Sequence, residues 1–161
     1  MKVEPEKEHR WLRKLVGEWT YEGEAATEPG QPPARFGGTE SVRPLGEIWV
    51  VAEGRGEMPG GATAATLLTL GFDPRQGRFV GTWIGSMMAH LWVYDGGALD
   101  AAGKILTLDA EGPSFTEEGK LARYRDVIAF QDDDHRVLTG SVRRDDGSWH
   151  ELMTARYRRR A

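Results

Sequence analysis

From Gly17 onward, apolar and polar residues alternate with a period of two along most of the chain. This alternation is typical of strands that bury one face, because successive side chains of a strand point to opposite faces of its sheet. Clusters of Gly, Asp and Pro interrupt the alternation, including a predicted turn at 95–97, and supply turn geometry. We predict ten antiparallel strands, at residues 18–26, 34–43, 48–56, 66–72, 78–84, 90–94, 105–110, 122–130, 136–143 and 149–158.

One helix is predicted in front of the strands, over residues 5–16. Trp11, Leu12, Leu15 and Val16 recur there at helical spacing, and charged residues cover the opposite face. Gly17 follows at a position where helix ends favour glycine. With one helix there are no βαβ crossovers to build a parallel sheet, so we predict an all-β fold in a single domain over 1–161.

The ten strands are expected to pair in sequence order as an antiparallel meander, and the first and last strands, which would form its two edges, determine the predicted architecture. Unpaired edge strands invite association with other chains, and closure into an up-and-down barrel pairs both of them. The helix would then plug one end of the barrel. A two-sheet sandwich is the alternative that the pattern leaves open, but up-and-down connectivity suits closure better.

Composition excludes several classes of function. The 161 residues carry a net charge of −4, which argues against nucleic acid as the main partner. The chain has no cysteine, so disulfides, thiolate nucleophiles and cysteine-based metal sites are excluded. No apolar run reaches the roughly 20 residues of a membrane-spanning helix, so we expect a soluble, cytoplasmic protein. A homodimer is expected on general grounds, because most soluble oligomers are symmetric dimers.

Five short motifs carry a family resemblance that extends over nearly the whole chain. They are EH at 8–9, LVGEW at 15–19, LGFDP at 70–74, FVGTW at 79–83 and YRR at 157–159. Together they resemble a bacterial family known as domain of unknown function 1579. The resemblance implies a calycin-like barrel of about ten strands, similar to lipocalins, fatty-acid-binding proteins and nitrobindins, and it implies no particular reaction.

Gly17 and Trp19 directly follow the predicted helix, as the Gly-x-Trp motif does in lipocalin-like barrels. The resemblance implies that this indole closes one barrel end beneath an arginine of the last strand. We assign Arg158 to that role. A guanidinium stacked on an indole is worth about 0.5–2 kcal/mol.

The segment from Trp83 to Trp92 is the most unusual stretch of the sequence, since it combines Trp, Met and His across a predicted strand, turn and strand. Polarisable side chains of this kind suit an apolar or aromatic ligand. The alternative is that they simply fill the barrel interior. The predicted binding residues are Trp83, Met88, His90 and Trp92, with Trp149 or Met153 opposite and Glu53 fixing the orientation of the ligand.

Three further hypotheses involve titratable residues. Nitrobindin-like barrels hold haem through one histidine, which makes His90 or His150 a candidate haem ligand. A zinc site would need these two histidines to meet Glu53 or Glu151. An isomerase or hydrolase could use Glu53, Asp126 or His90 as its base, although a carboxylate paired with a strand arginine such as Arg43, Arg123 or Arg143 is the structural alternative. A barrel that only dimerises through an exposed sheet face is also left open.

Overall fold

A computed structural model of the chain describes residues 2–58 and 60–160. It contains a short helix α1 (Lys7–Trp11), which continues as a 3-10 helix (Leu12–Leu15), and ten strands. The strands are β1 (Gly17–Ala25), β2 (Ala34–Leu45), β3 (Trp49–Glu57), β4 (Thr63–Asp73), β5 (Arg78–Gly85), β6 (Trp92–Leu99), β7 (Ile105–Pro113), β8 (Leu121–Asp132), β9 (His135–Arg143) and β10 (Trp149–Arg159). Among the described residues, neither helix has the length and apolar character needed to cross a bilayer.

The ten strands form one closed antiparallel barrel. Each strand pairs with its neighbours in sequence, and β1 also pairs with β10, so that Trp19 lies opposite Arg159. The predicted up-and-down barrel is therefore confirmed, and the sandwich alternative is wrong. Closure removes the two edges that an open meander would expose.

The helical segment is shorter than predicted and changes type. The backbone N–H of Glu6 donates to His9 Nδ1 at 2.8 Å, which makes Glu6 the N-cap, so the helix begins at Lys7 rather than at residue 5. After Trp11 the chain tightens into the 3-10 turn, and Val16 is already extended. The indole of Trp11 donates to the carbonyl of Gly103 at 2.7 Å, so this segment is tied across one end of the barrel.

The predicted turn at 95–97 is wrong, because these residues lie inside β6. The register of β6 against β7 shifts between Tyr94 and Gly96, which marks a β-bulge that absorbs one extra residue. At Gly97 a Cβ would come within 2.5 Å of the carbonyl oxygen of Phe79. Glycine there permits close strand approach, and the chain instead turns around Gly103, whose φ is +69°.

Trp19 closes the helix end of the barrel, as the family resemblance implied. Its side chain is 0% exposed, and its indole N–H donates to the carbonyl of Leu15 at 2.8 Å. The arginine of the last strand that lies over the ring is Arg159, at 4.3 Å, and not Arg158. Tyr157 points into the barrel, so strand alternation turns Arg158 outward and Arg159 toward the end that Trp19 closes.

Arg159 also bonds the backbone where the 3-10 helix ends, so its removal should destabilise the fold. Its Nη1 donates to the carbonyl of Val16 at 2.6 Å and its Nη2 to that of Lys14 at 2.9 Å. We expect Arg159→Ala to lower the free energy of unfolding by about 2 kcal/mol in urea titrations. Arg158→Ala is the matched control, and equal losses for the two variants would contradict the assignment.

Candidate functional site

The interior of the barrel holds a cavity that is partly open to the protein surface. It consists of two adjoining volumes of about 280 and 290 Å³. We call the first the aromatic chamber, because Trp92, Tyr124 and Phe115 line it, and the second the polar chamber, because Glu40 and Arg136 line it. The residues shared by both chambers are Trp83, Tyr94, Leu108, Asp126, Leu138 and Met153.

Aromatic rings form one wall of the aromatic chamber. The ring of Tyr124 packs edge-on against Trp92 at 5.0 Å and against Phe115 at 5.4 Å. Trp92 Nε1 donates to the sulfur of Met88 at 3.0 Å, which holds this methionine in the wall. Phe115 belongs to the β7–β8 loop and is 62% exposed, so it stands where the chamber meets the protein surface.

A buried ion pair lies in the polar chamber. Arg136 Nη2 donates to Glu40 Oε1 at 2.5 Å, and the two side chains are 4% and 12% exposed. The guanidinium also lies over the rings of Trp19, at 4.5 Å, and Tyr157, at 4.0 Å. The positive charge of Arg136 is thus neutralised by Glu40 and its position is fixed by aromatic packing.

Asp126 is the carboxyl group shared by both chambers, and it forms no ion pair with an arginine among the described residues. The hydroxyl of Tyr94 donates to its Oδ2 at 2.7 Å, and Oδ1 accepts no hydrogen bond from the part of the chain that the structure describes. Burial raises the pKa of Asp126, the Tyr94 hydrogen bond opposes that rise, and the negative charge of Asp109 adds to it. Burial and the nearby Asp126 raise the pKa of Tyr94 well above its usual range.

The raised pKa of Asp126 predicts a pH-dependent cost to folding. An acid whose pKa is higher in the folded state contributes stability below its unfolded pKa and loses that contribution as pH rises through the folded pKa. Asp126→Asn keeps an oxygen for Tyr94 and cannot ionise. Urea titrations should therefore find this variant about 1 kcal/mol more stable than the parent at pH 8, with the difference shrinking toward pH 4. A difference independent of pH would contradict this account.

Four of the predicted binding residues line the cavity together. Trp83, Met88, Trp92 and Met153 all border the aromatic chamber, which places the unusual Trp/Met segment at a cavity wall. They reach it from β5, the β5–β6 loop, β6 and β10. The alternative that these residues completely fill the interior is not what the structure shows, since open volume lies beside them.

Two predicted binding residues lie on the outer face of the barrel instead. Glu53 is 52% exposed and pairs with Arg43 at 3.3 Å, so it cannot orient a ligand in the interior. Trp149 packs against the guanidinium of Arg125 at 4.1 Å on the outer surface. The β-bulge between Glu151 and Met153 reverses the alternation, so Trp149 and Met153 point to opposite sides.

None of the four histidines lines either chamber. His90 packs edge-on against Trp92 at 4.7 Å without lining either chamber, and His150 pairs with Val142 and also lines neither. His9 and His135 bond to Phe72 and Asp132, and none of the four histidines lines a chamber, so the lining residues offer haem no histidine ligand. Within 2–58 and 60–160 no three His, Cys, Asp or Glu residues are grouped as metal ligands, so the zinc hypothesis is not supported.

The sequence reasoning did not select Tyr94, Arg136 or Tyr157, which line the polar chamber. Alternation from Leu138 would have turned Arg136 inward, and alternation from Ala155 would have turned Tyr157 inward. Alternation therefore indicated that both side chains point inward, but it could not indicate which residue would neutralise the charge of Arg136.

The fold and cavity define a class of protein: a closed ten-stranded antiparallel barrel with an internal chamber and a helical plug. The sequence profile of one family, described as protein of unknown function (DUF1579), matches residues 4–159. The chain belongs to this family. No curated protein matches the sequence.

Solved structures with a similar fold include natural and designed barrels. The crystal structure of Rv2717c from M. tuberculosis has a TM-score of 0.65 at 15% identity, covering 98% of this chain and 100% of that one. A de novo designed fluorescence-activating β-barrel has a TM-score of 0.51 at 12% identity, covering 92% and 96%. EF1p2_mFAP2b bound to DFHBI has a TM-score of 0.51 at 11% identity, covering 96% and 100%. At these identities the likeness concerns the fold alone.

Proposed function

We propose that this protein binds a small molecule with an aromatic or apolar body inside its barrel. The observation that carries the proposal is the open aromatic chamber of about 280 Å³ beside a carboxyl group, Asp126, that faces into it. Predominantly apolar cavities with a few convergent polar groups are typical of small-molecule sites.

The size of the chamber sets the size of the ligand. An apolar cavity of about 150 Å³ accepts benzene. The aromatic chamber is nearly twice as large at about 280 Å³ and adjoins a second volume, so a molecule of two or three fused or linked rings fits the available space. EF1p2_mFAP2b, which has a similar fold, was solved bound to DFHBI.

A fluorescent probe tests the proposal directly. N-phenyl-1-naphthylamine emits strongly in apolar surroundings, and we expect it to bind with a dissociation constant on the order of 10 µM. Binding should also change the emission of Trp83 and Trp92, which line the chamber. Absence of a saturable signal across a panel of two- and three-ring probes would contradict the proposal.

Filling the chamber should abolish binding without unfolding the barrel. A Cβ at Gly140 would lie 3.1 Å from the flexible side chain of Met153 and 3.5 Å from Asp126 Oδ1, so Gly140→Leu would extend into the aromatic chamber. We expect at least a tenfold loss of probe affinity for Gly140→Leu and less than a threefold loss for the matched control Gly140→Ala. Ala110→Leu fills the same chamber from β7 and serves if the first variant does not fold.

The enzyme hypothesis now rests on one residue. Of its three candidate bases, Glu53 points outward from the barrel wall and His90 lines neither chamber, whereas Asp126 faces both. The other buried carboxylate of the cavity, Glu40, is held by Arg136 and is not free to act as a partner acid. This arrangement favours binding over acid–base catalysis. The expected homodimer is a separate prediction, which analytical ultracentrifugation would test.

A further inference from the structure

We propose that the ligand carries a positively charged nitrogen, which Asp126 Oδ1 receives inside the cavity. This inference rests on the proposed function, because it names the chemical class of the molecule that the chamber binds. It makes Asp126 a ligand-binding residue, Tyr94 the residue that positions it, and the aromatic chamber the site of the ring system.

The charges of the cavity leave Asp126 without a partner. Arg136 and Glu40 neutralise each other at 2.5 Å, and the remaining charged residue of the polar chamber, Glu57, is itself negative and exposed at the end of β3. An ionised Asp126 therefore has no counter-charge among the described residues of the cavity, although Tyr94 occupies only one of its two oxygens. Isolated buried charge is costly, and an incoming cation removes that cost in a way that a neutral or anionic ligand cannot.

The position of Asp126 leaves its second oxygen accessible to a ligand. Gly140 stands opposite Asp126 in the neighbouring strand, and a Cβ there would lie 3.5 Å from Oδ1. Because residue 140 has no side chain, the approach to Oδ1 from the aromatic chamber stays open. The hydrogen bond from Tyr94 to Oδ2 fixes the carboxyl group with its other oxygen turned to the chamber.

The walls beside Asp126 also favour a cation. Trp83, Trp92, Tyr94 and Tyr124 border the aromatic chamber, and faces of such rings attract ammonium groups. A carboxylate among aromatic rings is a chemically sensible site for an aromatic or aryl-alkyl amine.

Arg136 is the rival recognition group and would attract a carboxylate ligand. Its charge is already bonded to Glu40, and its faces lie against the rings of Trp19 and Tyr157. An anionic ligand would have to displace Glu40 from this arginine, whereas a cation would meet Asp126 without displacing any ion pair of the cavity.

Proton uptake by Asp126 should compete with amine binding. Burial raises the pKa of Asp126, so acid neutralises the group that receives the cation, and affinity should fall up to tenfold per pH unit below the raised pKa. The other titratable or charged groups around the cavity or acting on Asp126 are Tyr94, Asp109, Glu40, Glu57, Arg136, Tyr21, Tyr124 and Tyr157. Burial also raises the pKa of the four tyrosines, so they stay neutral where Asp126 titrates.

Three ligands with the same ring test the inference: 2-naphthylmethylamine, 2-naphthalenemethanol and 2-naphthoic acid. Titration calorimetry at pH 7.5 should find the amine about 10- to 100-fold tighter than the acid, with the alcohol between them. In Asp126→Asn the amine should lose this advantage while the alcohol changes by less than threefold. In Tyr94→Phe the amine should weaken by a smaller factor, because Oδ1 keeps its charge and loses only its orientation.

The outcomes separate this inference from the proposed function. If none of the three ligands binds while N-phenyl-1-naphthylamine does, the inference is overturned and the proposed function stands; if the whole probe panel also fails, the proposed function fails with it. If the acid binds tightest, Arg136 is the recognition group, and the inference is overturned while ligand binding stands. Equal affinities, or an amine affinity unchanged in Asp126→Asn, also overturn it. Circular dichroism melts of Asp126→Asn verify that a lost affinity is not lost folding.

Discussion

Trp19→Ala should lower the free energy of unfolding by about 4 kcal/mol. The side chain is 0% exposed, packs against the guanidinium groups of Arg136 and Arg159, and donates a hydrogen bond to the Leu15 carbonyl. Its removal leaves a void under the helical plug and takes a packing surface from both arginines. This loss is a large part of the roughly 5–15 kcal/mol by which domains are stable. With a urea m-value of about 2 kcal/mol per M, the urea midpoint should fall by about 2 M.

Trp49→Ala is the matched control for this variant. Trp49 packs on the outer face against Gly71 and is 38% exposed, so its removal opens no internal void. We expect a loss of about 1 kcal/mol. Losses of equal size for the two tryptophans would show that Trp19 does not close the barrel in the way described.

Breaking the Glu40–Arg136 pair should have the second large effect. Removing one member of a buried ion pair leaves the other charge without a partner and typically costs about 3–5 kcal/mol. We expect losses of this size for Glu40→Met and for Arg136→Met, because both side chains are nearly enclosed. The double variant should regain most of the loss, since neither charge then remains in the interior.

An outer-face pair provides the control for this cycle. Arg156 makes two hydrogen bonds to Glu24, at 2.9 and 2.8 Å, and both side chains are open to solvent. Water and salt screen such a pair, so the same double-variant cycle should give a much smaller coupling. Purely additive effects at Glu40 and Arg136 would contradict their description as a buried pair.

Much of the fold could be predicted from particular residues. Alternation after Gly17 predicted ten strands, and the structure has ten in the predicted order. The predicted end of the sixth strand was wrong, because Gly96 and Gly97 were assigned to a turn and in fact lie in a bulged strand. Local sequence does not distinguish a glycine that turns the chain from one that lets two strands approach closely.

The residues that line the cavity were predicted only in part, for a related reason. Trp83, Met88, Trp92 and Met153 line the cavity. In β3 the side chains of Val50 and Ala52 point inward and that of Glu53 points outward. The continuous apolar run before Glu53 does not alternate with polar residues, so the sequence did not indicate which of its residues face the interior. A bulge in β10 reversed the phase at Trp149. Each of these errors is an error of phase, which in a strand moves a side chain to the other face.

The sequence by itself determined the strand number, the helical plug, the indole that closes the barrel and the aromatic character of one wall. The strand number, the plug and the aromatic wall follow from local periodicity and residue type, which act over a few positions, whereas the closing indole followed from the family resemblance. Only the tertiary structure decided that Arg136 meets Glu40 across 96 positions of sequence and that Tyr94 meets Asp126 across 32. Which inward side chains meet inside a barrel depends on how the barrel closes and on the register of all ten strand pairings. Local sequence does not specify either of these.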